Sequence, residues 1–248
     1  DFVIIGAQRA GTTSLFRSLA AHPDGGVPSE KELHFFTFNF GRGADWYREQ
    51  FPVDAPLTGE ATPYYVFHPR AHERMAALVP DAKLIVVLRN PADRAYSHWA
   101  FVRAEGHEDL PFEAALEAEE RRLAGEVERM LADDGYYSYA HQYHSYLARG
   151  RYAEQLERWF AAFARNRFLV LRSEDLYREP ARVYDEVMGF LGLRPWTPPA
   201  FERYNPSDAI EMDEATRRSL EARFAPLNAR LYELLGRDMR WGSSGRTP

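Results

Sequence analysis

Phe2-Val3-Ile4-Ile5-Gly6-Ala7-Gln8-Arg9-Ala10-Gly11-Thr12-Thr13-Ser14 stands one residue into the chain, and the order of its chemistry decides the fold. Four apolar residues without alternation describe a strand covered on both faces, as in a parallel sheet. A small-residue turn follows, and the hydroxyl run then enters a segment predicted helical over Thr13–Ala21. A strand, a glycine-containing loop and a helix in that order aim backbone N–H groups and hydroxyls at the positive end of a helix dipole, which is a cradle for phosphate. Its candidate ligand contacts are Arg9, Ala10, Gly11, Thr12, Thr13 and Ser14. The spacing approaches GxxxxGK[ST], but Thr12 stands where that motif needs lysine, and Arg9 is the one cation inside the loop.

Outward from this stretch, Lys83–Leu88 and Phe168–Leu171 repeat the pattern of a buried strand. Helices are expected over Pro91–Arg103, the acidic Phe112–Leu131, Tyr152–Phe163, Pro180–Leu191 and Glu214–Leu235, the last split by Pro226. Strand and helix alternate, so the expected class is α/β: a P-loop-like three-layer fold whose central parallel sheet is flanked by helices, with residues 1–248 as a single domain.

The chain has 248 residues, 45% hydrophobic and 27% charged, enough for one substantial core. Its formal net charge of −6 argues against a surface built to neutralise nucleic acid or an anionic membrane, so any anion site is local. No cysteine is present, which excludes disulfides and thiolate metal sites and makes a reducing, cytoplasmic setting the expectation. No apolar run approaches the ~20 residues of a membrane-spanning helix. The composition says nothing of oligomeric state.

A second strand-to-helix step, Arg89-Asn90-Pro91-Ala92-Asp93-Arg94-Ala95-Tyr96-Ser97, places Asn90 as N-cap and Pro91 in the first helical turn. Ser97 falls a little over two turns along, on the side that a strand-end Arg89 can reach. A nucleotide kinase would want a magnesium-binding carboxylate at this strand end; the sequence offers an arginine.

The run Phe2–Ser14 followed by His22-Pro23 resembles the 5′-phosphosulfate loop of sulfotransferases that use PAPS (3′-phosphoadenosine-5′-phosphosulfate), most closely the heparan-sulfate-type branch. The resemblance implies that PAPS is the donor and PAP the product, that Arg9 stands where the family carries a lysine near the transferred group, and that Arg89 and Ser97 bind the 3′-phosphate. No metal is expected. Glu30-Lys31-Glu32-Leu33-His34 is similar to the segment that brings a glutamate to the acceptor, which makes Glu32 a candidate general base. His34 is the rival: its ordinary pKa is nearer neutrality, and an extended segment would point it the same way. In Gly59-Glu60-Ala61-Thr62 the family's lysine is replaced by Ala61, leaving Arg9 and Lys31 as the cations; Glu60 either orients a site group or caps a loop.

Arg151 and Tyr152 align with a segment near cofactor and acceptor. His141 and His144 lack a third ligand for a believable metal set and read as aromatic packing. The family's lid over the nucleotide falls on Tyr204–Met212, which has neither its cysteines nor its basic run, so a different lid is expected. The acceptor is a hydroxyl or amine of a sugar, lipid, polyketide or small phenol. Two rival readings stand beside this one: a P-loop kinase of a nucleotide or small molecule, and a non-catalytic PAP-binding module.

Overall fold

In a computed structural model the described residues are 1–202, 204 and 212–242. The chain runs β1 (Phe2–Gly6), α1 (Thr12–Ala20), β2 (Gly25–Gly26), α2 (Gly43–Glu49), β3 (Leu57–Ala61), α3 (Ala71–Leu78), β4 (Lys83–Leu88), α4 (Pro91–Ala104), α5 (Phe112–Leu123), α6 (Glu126–Ala132), α7 (Tyr139–Tyr143), α8 (Tyr152–Ala162), β5 (Phe168–Arg172), α9 (Ser173–Arg178), α10 (Pro180–Leu191) and α11 (Glu214–Leu235). It divides into two compact units, residues 1–88 with 158–206 and residues 89–157 with 207–248.

The first unit holds a five-stranded sheet in the order β2-β3-β1-β4-β5, parallel throughout. The fold is α/β, with helices on the sheet, as the strand and helix alternation predicts. Ile4, Ile5 and every residue from Leu84 to Leu88 are inaccessible to solvent; side chains of this kind contribute ~1.5–3 kcal/mol each when fully buried. From α1, Leu15, Phe16 and Leu19 face this core, and α10 adds Val183, Val187 and Met188.

β3 escapes the apolar-run criterion because it contains Gly59 and Glu60. Gly59 pairs with Phe2 across the β1–β3 ladder, and a Cβ there would lie 2.2 Å from the Phe2 ring. Only glycine leaves room for that ring. Since β1 has neighbours on both sides and the chain returns past it from β3 to β4, the carboxyl end of β1 is the topological switch point, where open parallel sheets bind ligands.

The second unit is helical around Ala92, Ala95 and Val102 of α4, Phe112 and Ala115 of α5, Tyr146, Leu147, and Leu220 and Phe224 of α11. Two expectations are corrected here. The acidic segment 112–131 is two helices, α5 and α6, broken where Ala124 leaves helical geometry (ψ 120°) and Gly125 turns left-handed (φ 75°). The segment 214–235 is one helix with Pro226 inside it. Leu220, Phe224, Asn228 and Leu231, spaced by three or four residues, form a single buried face on both sides of the proline. Packing carries the helix through a residue that would interrupt it in isolation.

Candidate functional site

β1 delivers its loop directly to the switch point. Ala7 N–H donates to Val87 O at 2.7 Å, continuing the ladder one residue past the strand, and Ala10 N–H closes a turn on Ala7 O at 3.2 Å. Arg9 takes a left-handed backbone, φ 69°, a state that costs a residue with a Cβ roughly 1–2 kcal/mol. Gly11 follows at φ 94° as the N-cap of α1, with no side-chain cap and no acidic residue in the first turn. The first N–H groups of a helix have no partner within it, so the loop ends on a cluster of donors, and no carboxylate of the helix's own first turn competes for them. A Cβ at Gly11 would lie 2.8 Å from the Tyr177 hydroxyl besides straining the turn. Ala10, Thr12 and Ser14 are buried while Arg9, Gly11 and Thr13 are half-buried. Ser14 Oγ accepts the Tyr204 N–H at 3.1 Å.

The segment carrying Glu32 and His34 is tied to the end of β3. Glu32 N–H donates to Ala61 O at 3.1 Å, and His34 N–H donates to Thr62 Oγ1 at 3.4 Å. Both residues have positive φ, 66° and 50°. Their side chains therefore meet through two left-handed residues, which corrects the expectation of an extended strand. Glu32 Oε1 accepts from Lys31 Nζ at 2.6 Å, and Glu32 Oε2 lies 3.5 Å from His34 Nε2. Burial pushes the Glu32 carboxyl up, but the His34 hydrogen bond and the Lys31 charge together outweigh it and hold the group at about 2. The carboxylate is 37% exposed, so it can meet a ligand.

Glu60 occupies a different environment, 1% exposed. It accepts hydroxyl hydrogen bonds from Tyr47 and Tyr65, both at 2.9 Å, and from Thr62 at 2.7 Å. Burial raises its carboxyl above the ordinary range against these donors. By donating to Glu60, the Thr62 and Tyr65 hydroxyls turn their lone pairs toward the N–H groups of His34 and Phe36. Glu60 thus ties the end of β3 to the segment that carries His34 and Phe36. Thr37, Thr62, Tyr47 and Tyr65 belong to the support of the site, and no spacing rule singles them out.

In the second unit, Asn90 caps α4 through the Ala92 N–H at 2.9 Å and Pro91 sits in its first turn, as predicted. The Tyr152 hydroxyl donates to Arg89 O at 2.8 Å, fixing the turn that presents Arg89. Ser97 is 2% exposed on α4. Fully buried Arg94 donates to Tyr146 O and lies 3.3 Å from His98 Nδ1, anchoring the same helix. Arg151 donates to Glu154, at 2.6 and 2.9 Å. His144 Nε2 lies 2.8 Å from His107 O, and its ring meets Tyr139 edge-on at 5.4 Å between centroids, the aromatic packing expected of this residue. Of the lid segment Tyr204–Met212, residues 205–211 lie outside the described residues.

Residues 1–204 match the family described as the sulfotransferase domain. The sequence is 38% identical over 201 residues, 77% of this chain, to bifunctional heparan sulfate N-deacetylase/N-sulfotransferase 1 of Mus musculus, and spans 22% of that protein's length. It is 30% identical over 266 residues to heparan sulfate glucosamine 3-O-sulfotransferase 6 of Homo sapiens, covering 97% of this chain and 73% of the relative. The crystal structure of a sulfotransferase from Alicyclobacillus acidocaldarius is similar with a TM-score of 0.80 and 33% identity, covering 97% of both chains. The sulfotransferase domain of the curacin biosynthetic pathway, at 16% identity and TM-score 0.53, shares the fold.

Proposed function

Because the chain belongs to the sulfotransferase domain family, we propose that it moves a sulfonyl group from PAPS to a hydroxyl or amine, releasing PAP, with residues 1–248 acting as one domain. The observation that carries this reading is the loop from Arg9 to Ser14: a cation and a helix N-terminus with no acid in its first turn, at the carboxyl end of the central strand. Such a site suits the 5′-phosphosulfate end of the donor. Arg89 and Ser97 are assigned to its 3′-phosphate. That pair distinguishes a bisphosphate from an ordinary nucleoside triphosphate, and the family match separates the reading from a kinase.

Glu32 takes the proton of the attacking acceptor as the new bond to sulfur forms and the bond from sulfur to the 5′-phosphate oxygen breaks. Its low resting pKa reflects the His34 hydrogen bond and the neighbouring Lys31 ammonium, which outweigh burial. Charge that develops on the sulfonyl oxygens competes for Lys31, and Glu32 gains basicity as that contact loosens. Arg9 and the α1 amides stabilise the departing 5′-phosphate, fixed donors aimed where negative charge grows. Ala61, wholly buried, stands where the family carries a lysine, so Arg9 and Lys31 supply the cationic charge. The relatives are named for heparan sulfate; with that lysine missing, the acceptor is proposed only as a hydroxyl or amine of a glycan, lipid, polyketide or small molecule.

PAP release from PAPS, followed by chromatography over a panel of amino sugars, alcohols and phenols, tests the reading. At least one acceptor should support turnover. Glu32→Gln should reduce it by about 10²–10⁴-fold while leaving PAP binding by calorimetry unchanged. PAP binding with no turnover on any acceptor would favour the non-catalytic module, and absence of both would end the proposal.

A further inference from the structure

Thr37 is 4% exposed and was assigned no role above beyond support. Its Oγ1 lies 3.1 Å from His34 Nδ1 and also 3.1 Å from the His34 backbone oxygen. The hydroxyl has one proton to give. The backbone oxygen already accepts two N–H groups, from Thr37 at 3.2 Å and from Asn39 at 3.0 Å, which fill its two lone pairs. Nδ1 has greater need of the proton, for a reason set at the other end of the ring.

There, His34 Nε2 faces Glu32 Oε2 at 3.5 Å, while the other carboxylate oxygen is occupied by Lys31. An ionised carboxylate only accepts. A neutral imidazole carries one N–H and one bare nitrogen, and a bare Nε2 would set two lone pairs against each other. Nε2 therefore carries the proton, and Nδ1 is the acceptor that the Thr37 hydroxyl serves. The ring is held in this attitude by its stack on Phe38, 4.8 Å between centroids at 28°, and by the His34 N–H contact with Thr62.

We propose that Thr37 is a positioning residue: its hydroxyl fixes the neutral form of His34 as the Nε2–H tautomer, whose proton orients Glu32 for proton transfer from the acceptor. The inference rests on the reading of Glu32 as the base. It also assigns the two candidates different work, with Glu32 receiving the proton and His34 holding the carboxylate by donation.

The test is a long-range ¹H–¹⁵N correlation spectrum of the full chain labelled at histidine nitrogens, recorded above about pH 8 so that ordinary histidines are neutral. His34→Asn identifies the His34 signals. The expected result is a bare Nδ1 and a protonated Nε2 in the unmodified protein. Thr37→Val should give a mixture of tautomers and reduce turnover roughly tenfold, the scale of one lost hydrogen bond, with KM for PAPS unchanged; Thr37→Ser should restore both properties. A protonated Nδ1 in the unmodified protein, or an unchanged tautomer in Thr37→Val, overturns the proposal. The spectrum needs no acceptor, and PAP calorimetry reads the nucleotide site separately, so failure here is distinguishable from failure of the sulfonyl-transfer reading.

Discussion

Arg9, Glu32 and His34 are three of the four non-glycine residues with positive φ among the described residues, the fourth being Arg240. Each such residue costs on the order of 1 kcal/mol or more and persists when surrounding contacts over-determine it; for Glu32 and His34 those contacts are Ala61 O and Thr62 Oγ1. A buried histidine close by sets a separate stability term. His68 is 6% exposed, and burial, reinforced by the charges of Arg74 and Arg158, lowers it from 6.5 to about 3. It is neutral in the fold and takes a proton on unfolding, so the unfolded state gains as pH drops below 6.5, and the loss of stability grows until the folded group titrates near 3. His68→Asn removes the titration and keeps an acceptor for the Arg70 N–H that Nδ1 now receives at 3.2 Å. Urea unfolding should show the unmodified protein losing ~3 kcal/mol more than His68→Asn between pH 7 and pH 4. Parallel pH profiles would contradict the burial account.

At the scale of elements, α11 carries Pro226 between two turns of a single buried face. Proline in a helix interior is about 3 kcal/mol less favourable than alanine, and here tertiary packing offsets it. Pro226→Ala should raise the urea midpoint, by ~1–3 kcal/mol in stability; a lowered midpoint would show that the proline geometry is itself required. The same competition between local preference and packing explains what the sequence made legible. β1, β4 and β5 read directly because unbroken apolar runs buried on both faces are conspicuous. β2 is only Gly25–Gly26, and β3 hides behind Gly59, needed for the Phe2 ring, and Glu60, whose charge is met by hydroxyls from outside the strand. In the site, Arg9, Glu32 and His34 could be named from residue type and family resemblance. The left-handed backbones of Glu32 and His34, and the place of Thr62, could not be, because these depend on hydrogen bonds to the end of β3, some 28 residues away along the chain; the contact of Thr37 with His34 follows only once that turn is formed.

For the whole molecule, a net charge of −6 is compatible with the proposed anionic donor only if the attraction is local. The proposal gives the 5′ end to Arg9 and the N-terminus of α1, and the 3′-phosphate to Arg89, whose backbone oxygen accepts from the Tyr152 hydroxyl, and to Ser97 on α4. The account requires the two sets of groups to serve one nucleotide, the 5′ end by Arg9 and the 3′-phosphate by Arg89. Calorimetry with PAP and with 5′-AMP, which lacks the 3′-phosphate, tests this most directly. Arg9→Ala should weaken both ligands. Arg89→Ala should weaken PAP by roughly 10–100-fold, the scale of a charged hydrogen bond, and leave 5′-AMP unchanged; equal losses for the two ligands in Arg89→Ala, or no loss for PAP, would contradict it.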